Sequence, residues 1–226
     1  MTPGAVLVFA AGFGTRMRPL TDTVPKPLIA VGGRTLLDHA LDLARQAGPL
    51  RIVVNAHYLA EQIAAHLHGT DVAVSVETPE ILDTGGGLRQ ALPLLGPGPV
   101  FTLNADMVWS GPNPLMLLAQ AWRPGALDAS LLCVPLAQTV GRVPPGDFTM
   151  DGAGTIRRGG DWVYTGAQII DPALIAAIPD RVFSLNRAWD LAAARGRLGG
   201  VAYPGRWADV GRPQGIAEAE RMLADV

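Results

Sequence analysis

Apolar residues in this chain arrive in short runs separated by stretches of helical spacing. Residues 5–10 form a continuous apolar run of strand length. Residues 35–47 then place Leu36, Leu37, Ala40, Leu43, Ala44 and Ala47 on one helical face and end at Gly48-Pro49, a stop signal. Short apolar runs at 51–55, 72–76 and 100–103 predict three more strands. Residues 59–67 and 87–95 read as helices between them. Strands alternating with helices predict an α/β fold with a mixed, mainly parallel sheet flanked by helices.

The second half is less regular. Residues 129–134 and 167–170 read as strands, and 185–195 and 214–223 as helices. Residues 144–162 are rich in Gly, Asp and Pro. Asp151-Gly152 and Gly159-Gly160 are two-residue turn signals, so hairpins are expected there. No repeat or linker divides the chain. The pattern predicts one domain over 1–226, with a nucleotide-binding part at about 1–110 and a substrate-facing part at about 111–226 that includes a smaller, β-hairpin-rich subregion.

Composition narrows the function. The chain has 226 residues, 49% of them hydrophobic, and a net charge of −2. That composition argues for a buried core and against disorder. No basic patch is visible, so no nucleic-acid partner is expected. An anionic substrate would be held by a few placed Arg and Lys residues. The single cysteine, Cys133, lies in an apolar run, which excludes an internal disulfide and reads as a buried small residue. No signal-peptide pattern opens the sequence, and no apolar run nears the ~20 residues that span a bilayer. A cytoplasmic protein without membrane contact is expected, as a monomer or homodimer.

Candidate chemistry begins directly after the first strand, at Ala10-Ala11-Gly12-Phe13-Gly14-Thr15-Arg16-Met17. Glycines at the carboxyl end of a parallel strand let backbone N–H groups approach phosphate oxygens. Ligands of open α/β sheets sit at such ends. Met17 stands where a dinucleotide fingerprint needs its third glycine, and the Gly-Lys-Ser/Thr of a Walker loop is absent. A plain turn would also use these glycines. Three cations favour phosphate: Arg16, Arg18 and Lys26 follow closely, and Pro25 and Pro27 fix the backbone around Lys26. Asp106 closes the fourth predicted strand, in Leu103-Asn104-Ala105-Asp106. It is placed either to bind a metal with phosphate or to cap a turn.

The run from Ala10 to Thr21 followed by Pro25-Lys26-Pro27-Leu28 resembles the signature of the sugar-1-phosphate nucleotidyltransferases. That family includes thymidylyl-, guanylyl- and uridylyltransferases. The resemblance implies a Rossmann-like nucleotide-diphospho-sugar transferase fold, an NTP and a sugar 1-phosphate as substrates, and Mg²⁺ as cofactor. It implies that the backbone of Ala10, Ala11, Gly12, Gly14 and Thr15 wraps the triphosphate. Arg16 would contact its β and γ phosphates, and Lys26 phosphate near the reacting centre. Leu82-Asp83-Thr84-Gly85-Gly86-Gly87 resembles the family's base-binding loop, so Gly85, Gly86 and Glu77 are expected at the nucleobase, with Asn104 nearby.

By the same resemblance Asp106 and Asp209, the latter in Trp207-Ala208-Asp209-Val210-Gly211-Arg212-Pro213, share Mg²⁺. Arg212 stands where the family has threonine. Gly146, Asp147, Thr165 and Gly166 would line the sugar pocket. The family's Glu-Lys-Pro segment before that pocket is missing, which argues against glucose. Within the family, residues 55–60, the triple glycine, Gly146-Asp147-Phe148 and Gly205-Arg206-Trp207 look most like the N-acetylmuramate α-1-phosphate uridylyltransferases of cell-wall recycling. Catalysis would rest on Arg16, Lys26 and Asp106, while His57 and the tryptophans read as structural. The rival readings are a mannose-1-phosphate guanylyltransferase and, outside enzymes, a non-catalytic nucleotide-sugar-binding paralogue.

Overall fold

In the computed structural model, which describes residues 1–225, the first strand sets the architecture. Strand β1 (Ala5–Phe9) is apolar at successive positions because both of its faces are covered. Val6 and Val8 point into one core; Ala5 and Leu7 point into the other. A near-continuous apolar run is the signature of a parallel strand buried on both sides.

The chain then runs through a short hairpin, β2 (Ala30–Val31) and β3 (Arg34–Thr35), into helix α1 (Leu36–Gln46). Thr35 caps α1 by accepting from the Asp38 amide at 3.1 Å. Next come β4 (Arg51–Ala56), α2 (Ala60–Leu67), β5 (Ala73–Val76), α3 (Asp83–Leu95), β6 (Val100–Asn104), β7 (Met107–Ser110), α4 (Pro114–Ala121) and β8 (Ala129–Pro135). The remainder is β9 (Thr139–Val140), β10 (Phe148–Met150), β11 (Ile156–Arg158), β12 (Trp162–Ile170), α5 (Ala173–Ala176), α6 (Leu185–Ala194), β13 (Leu198–Ala202), β14 (Arg206–Asp209) and α7 (Gln214–Ala224).

A nine-stranded sheet follows the path β11-β10-β12-β6-β1-β4-β5, with β8 on β12 and β13 on β8. Strands β6, β1, β4 and β5 are parallel, whereas β12 joins β6 antiparallel. The mixed, mainly parallel sheet expected from the pattern is therefore present. Both halves of the chain share it, since β12 lies beside β6. Helices α1, α2 and α4 cover one face and α3, α5 and α6 the other.

A second sheet, β7-β14-β9, has three strands. With α7 it encloses a third apolar cluster containing Met17, Val108, Ala208, Val210 and Met222. Met17, the residue that excludes the dinucleotide fingerprint, is fully buried there and anchors the far end of the glycine loop.

Two local expectations change. Gly85, Gly86 and Gly87 do not form a loop ahead of α3 but occupy its first turn. Gly159-Gly160 is not a hairpin tip, because β10 lies between β11 and β12. The hairpin that does form joins β10 to β11 through residues 151–155, where Asp151 Oδ1 accepts from the Ala153 and Thr155 amides at 2.9 Å each. Among the described residues no helix is long and apolar enough to cross a membrane.

Candidate active site

The carboxyl ends of β1, β4 and β6 open onto a cavity of about 250 Å³. Ala10, Ala11, Gly12, Lys26, Glu77, Asn104 and Asp106 line it, together with Asn55, Asp83 and Thr84. Its floor is a buried polar chain. The Ala10 amide donates to Asn55 Oδ1 at 2.7 Å, and Asn55 Nδ2 donates to Glu77 Oε1 at 2.7 Å. Glu77 Oε2 accepts from the Leu82 amide at 2.7 Å. Both carboxylate oxygens of Glu77 are thus occupied, and the residue is 1% exposed. It braces the cavity wall. Its backbone carbonyl accepts from His57 Nδ1 at 2.9 Å.

The glycine loop is shaped at Gly14. This residue has φ of +60°, and a Cβ there would come 2.9 Å from Thr21 Cγ2 and 3.0 Å from Lys26 Cβ. Only glycine lets the loop lie against the lysine-bearing turn. Thr21 Oγ1 fixes the contact by donating to the Gly14 carbonyl at 2.8 Å. Thr15 and Arg16 begin a 3₁₀ turn directly beyond it and are exposed. Arg18 is spent on an exposed pair with Asp22 at 3.3 Å.

Lys26 is 8% exposed, held in a 3₁₀ turn between its two prolines. Its Nζ lies 2.6 Å from Asp106 Oδ2. Asp209 joins them through strand pairing. In the β7–β14 ladder Asp209 sits opposite Met107, and the Val210 amide donates to the Asp106 carbonyl at 3.1 Å. Strand β9 runs parallel to β14, with Val140 beside Ala208, and so delivers Gly141-Arg142 to the same end. The three-stranded sheet is the device that brings Asp106, Asp209 and Arg142 together. At Gly211 a Cβ would meet Asp209 Oδ1 at 2.8 Å and Arg16 Nη2 at 3.3 Å, so both side chains border this glycine.

Burial raises the Asp209 carboxyl above its ordinary range, and neighbouring Asp106 adds to the rise; Lys26, Arg16 and Arg142 oppose it. Its Oδ1 is buried with no hydrogen-bond partner. Two neighbouring carboxylates, one with an unsatisfied buried oxygen, suit a hard divalent cation that takes its other ligands from substrate phosphates and water. Among the described residues there is no group of three or more His, Cys, Asp or Glu side chains able to hold a metal. Asp106 and Asp209 are the two carboxylates here that could hold one.

Other expected site residues fall elsewhere. The Gly85 and Gly86 amides both donate to the Phe183 carbonyl, at 2.8 and 3.1 Å, and neither residue lines the cavity. Side chains there would strike Phe183 and the Arg181 backbone, so these glycines serve helix packing. Asp83 and Thr84 take the cavity wall instead. Thr165 is fully buried, its hydroxyl donating to the Leu132 carbonyl at 2.7 Å. Gly166, with φ of +86°, packs on Asn104, where a Cβ would lie 2.9 Å from Asn104 Cβ.

Asp147 accepts from Arg142 Nη2 at 2.7 Å and from the Tyr164 amide at 2.9 Å, and so ties the 141–147 loop to β12. Gly146 approaches Gly160 and Asp161 too closely for a side chain. Asn55 and Arg142 were missed from sequence, and Asp83 and Thr84 figured only inside the motif that resembles the base-binding loop. Asn55 carried a signal of its own, a polar residue ending an apolar strand. Cys133 is buried, and that burial, with Asp147 secondary, pushes its thiol well above the ordinary range.

The comparisons with known proteins agree with this geometry. Residues 6–145 match the model of the MobA-like NTP transferase domain. The chain belongs to this nucleotidyltransferase family. A Caulobacter vibrioides N-acetylmuramate α-1-phosphate uridylyltransferase is 39% identical to the transferase described here, over 99% of this chain and 98% of its own. A Neisseria meningitidis protein of the same name is 33% identical over 96% of each chain. Among solved structures, a candidate glucose-1-phosphate thymidylyltransferase of Bacillus anthracis superposes with a TM-score of 0.80 at 16% identity, covering 98% of this transferase and 96% of that chain. HddC of Yersinia pseudotuberculosis, complexed with GMP-PN, superposes with a TM-score of 0.76 at 19% identity, over 99% and 100% of the two chains. Both share the fold.

Proposed function

We propose that this transferase moves a uridylyl group from UTP to N-acetylmuramate α-1-phosphate, releasing pyrophosphate, and that Mg²⁺ is its cofactor. The observation that carries the reading is the meeting of Lys26 and Asp106, which line the cavity that ends β1, with Arg16 and Asp209, which line the cavity beside it. The choice of base and sugar rests on the two full-length relatives.

The chemistry requires little proton transfer. A phosphate monoester loses its second proton near pH ~6, so the sugar phosphate is already anionic at neutral pH. One of its oxygens attacks the α-phosphorus in line. The bond from that phosphorus to the bridging oxygen breaks, and pyrophosphate carries away the electron pair. The protein supplies position and charge. Backbone amides of residues 11–14 cradle the triphosphate, whereas that of Ala10, also expected there, is held by Asn55 Oδ1; Arg16 offsets charge on the outer phosphates. Lys26 Nζ, oriented by Asp106 and two flanking prolines, faces the reacting phosphate. Asp106 and Asp209 would hold Mg²⁺, which when bound neutralises phosphate charge and draws the α-phosphorus and sugar phosphate together. Asn104 and Gly166, in contact with each other, mark the border between the nucleotide and sugar sides.

Incubation with UTP and N-acetylmuramate α-1-phosphate tests the proposal. The expected result is UDP-N-acetylmuramate, identified by its mass, with one pyrophosphate per product and no product in EDTA. Pyrophosphate release without the nucleotide sugar contradicts it.

A further inference from the structure

Beside the catalytic cluster lies a second cavity of about 160 Å³, lined by Arg16, Arg142, Asp209 and Arg212 with Gly141, Val143 and Gly211. Three guanidinium groups converge on it; Asp209 is the carboxylate in its lining, and Asp147 pairs with Arg142 from outside it. Arg16 is committed to the outer phosphates by the reading above, and Asp209 to the metal. Arg142 and Arg212 have no part in that chemistry.

Their hydrogen bonding leaves them open to a ligand. Arg142 is fixed at one end, Nη2 donating to Asp147 Oδ1 at 2.7 Å, while its Nε is buried without an acceptor. Arg212 is exposed and makes one long contact, from Nη2 to the Gly141 carbonyl at 3.4 Å. A guanidinium carries five donors, so most of those on Arg212 are free. Planar, paired donors of this kind match a carboxylate.

The position favours the sugar side. Arg142 belongs to the 141–147 loop, which Asp147 ties to β12 two residues before Gly166, the glycine that touches Asn104. N-acetylmuramate differs from N-acetylglucosamine by a lactyl ether that ends in a carboxylate. We propose that Arg142 and Arg212 form a carboxylate subsite that selects the acidic sugar. The proposal rests on the functional reading above, since it presumes a muramate substrate. Asp147 is then a positioning residue that orients Arg142.

The test measures kcat/KM with UTP and Mg²⁺ for N-acetylmuramate α-1-phosphate and for N-acetylglucosamine α-1-phosphate. It uses the full chain as wild type, Arg212→Met, Arg142→Met and Arg142→Lys. Wild type is expected to prefer the acidic sugar. In Arg212→Met and Arg142→Met the ratio of the two kcat/KM values falls about tenfold or more, chiefly through KM for the acidic sugar, as expected when a charged hydrogen-bonding partner is lost. Arg142→Lys keeps the charge but not the fork and gives an intermediate ratio. Arg212 is exposed, so its variant decides the matter even where Arg142 variants fail to fold. An unchanged ratio in Arg212→Met overturns the subsite. So does an equal loss for both sugars with weakened pyrophosphate inhibition, which would assign the cavity to the leaving group. Failure of wild type to use N-acetylmuramate α-1-phosphate at all refutes the underlying functional reading instead.

Discussion

Lys26 Nζ sits 2.6 Å from Asp106 Oδ2, although three helices and five strands separate them in sequence. The lysine is almost wholly buried; the aspartate side chain is 27% exposed. Replacing Lys26 by alanine therefore leaves Asp106 partly solvated and the fold intact. It removes a charge aimed at the reacting phosphate, and kcat/KM is expected to fall at least ~100-fold, the usual effect of losing one electrostatic stabiliser. Steady-state kinetics with melting curves checks this. Near-normal turnover in a folded variant would show that Lys26 lies outside the chemistry.

Asp209 combines a buried, unpartnered oxygen with a carboxyl that burial and Asp106 make harder to ionise. Asparagine at this position removes that charge. In metal-free buffer Asp209→Asn is expected to match or exceed wild-type stability by about 1 kcal/mol, while activity drops ~100-fold. Mg²⁺ with UTP should raise the melting temperature of wild type but hardly that of the variant. A strongly destabilised variant would instead make Asp209 a structural acid.

Glu77 receives two donors, Asn55 Nδ2 and the Leu82 amide. Glutamine can accept from one and must turn its NH₂ toward the other. Glu77→Gln is expected to cost about 1–3 kcal/mol in chemical denaturation and to raise KM for the nucleotide more than it lowers kcat. A variant as stable as wild type would mean that the carboxylate is differently paired.

Thr165 tests the sugar side in the opposite direction. Its hydroxyl donates to the Leu132 carbonyl and meets no solvent. Thr165→Val is expected to lose about 1 kcal/mol of stability with KM for the sugar phosphate within about threefold of wild type. A large KM effect at unchanged stability would restore the substrate contact expected from sequence.

What was legible in the sequence follows from how local the physics is. The loop at residues 10–27 could be read because its demands are short-range: Gly14 needs positive φ and close approach, and two prolines restrain Lys26. The parallel strands were legible because burial on both faces leaves unbroken apolar runs. The three-stranded sheet was not, since β9 has two residues and β14 four, too few to show a period. The meeting of Asp106 with Asp209 was therefore available only through resemblance, and the approach of Arg142 was not anticipated. Gly85 and Gly86 misled for a related reason. Their cause is Phe183, a distant residue whose ring and carbonyl demand the space, and nothing in the local sequence points to it.

The identity of the enzyme turns on which base and which sugar this site joins. Pyrophosphate release measured for UTP, GTP, dTTP and CTP against N-acetylmuramate, N-acetylglucosamine, mannose and glucose 1-phosphates tests it most directly. The predicted result is that the pair UTP and N-acetylmuramate α-1-phosphate has the highest kcat/KM, by at least about tenfold over any other combination, a margin worth ~1.4 kcal/mol of transition-state binding. A maximum at GTP with mannose 1-phosphate, or tight nucleotide binding with no pyrophosphate release from any pair, would contradict it.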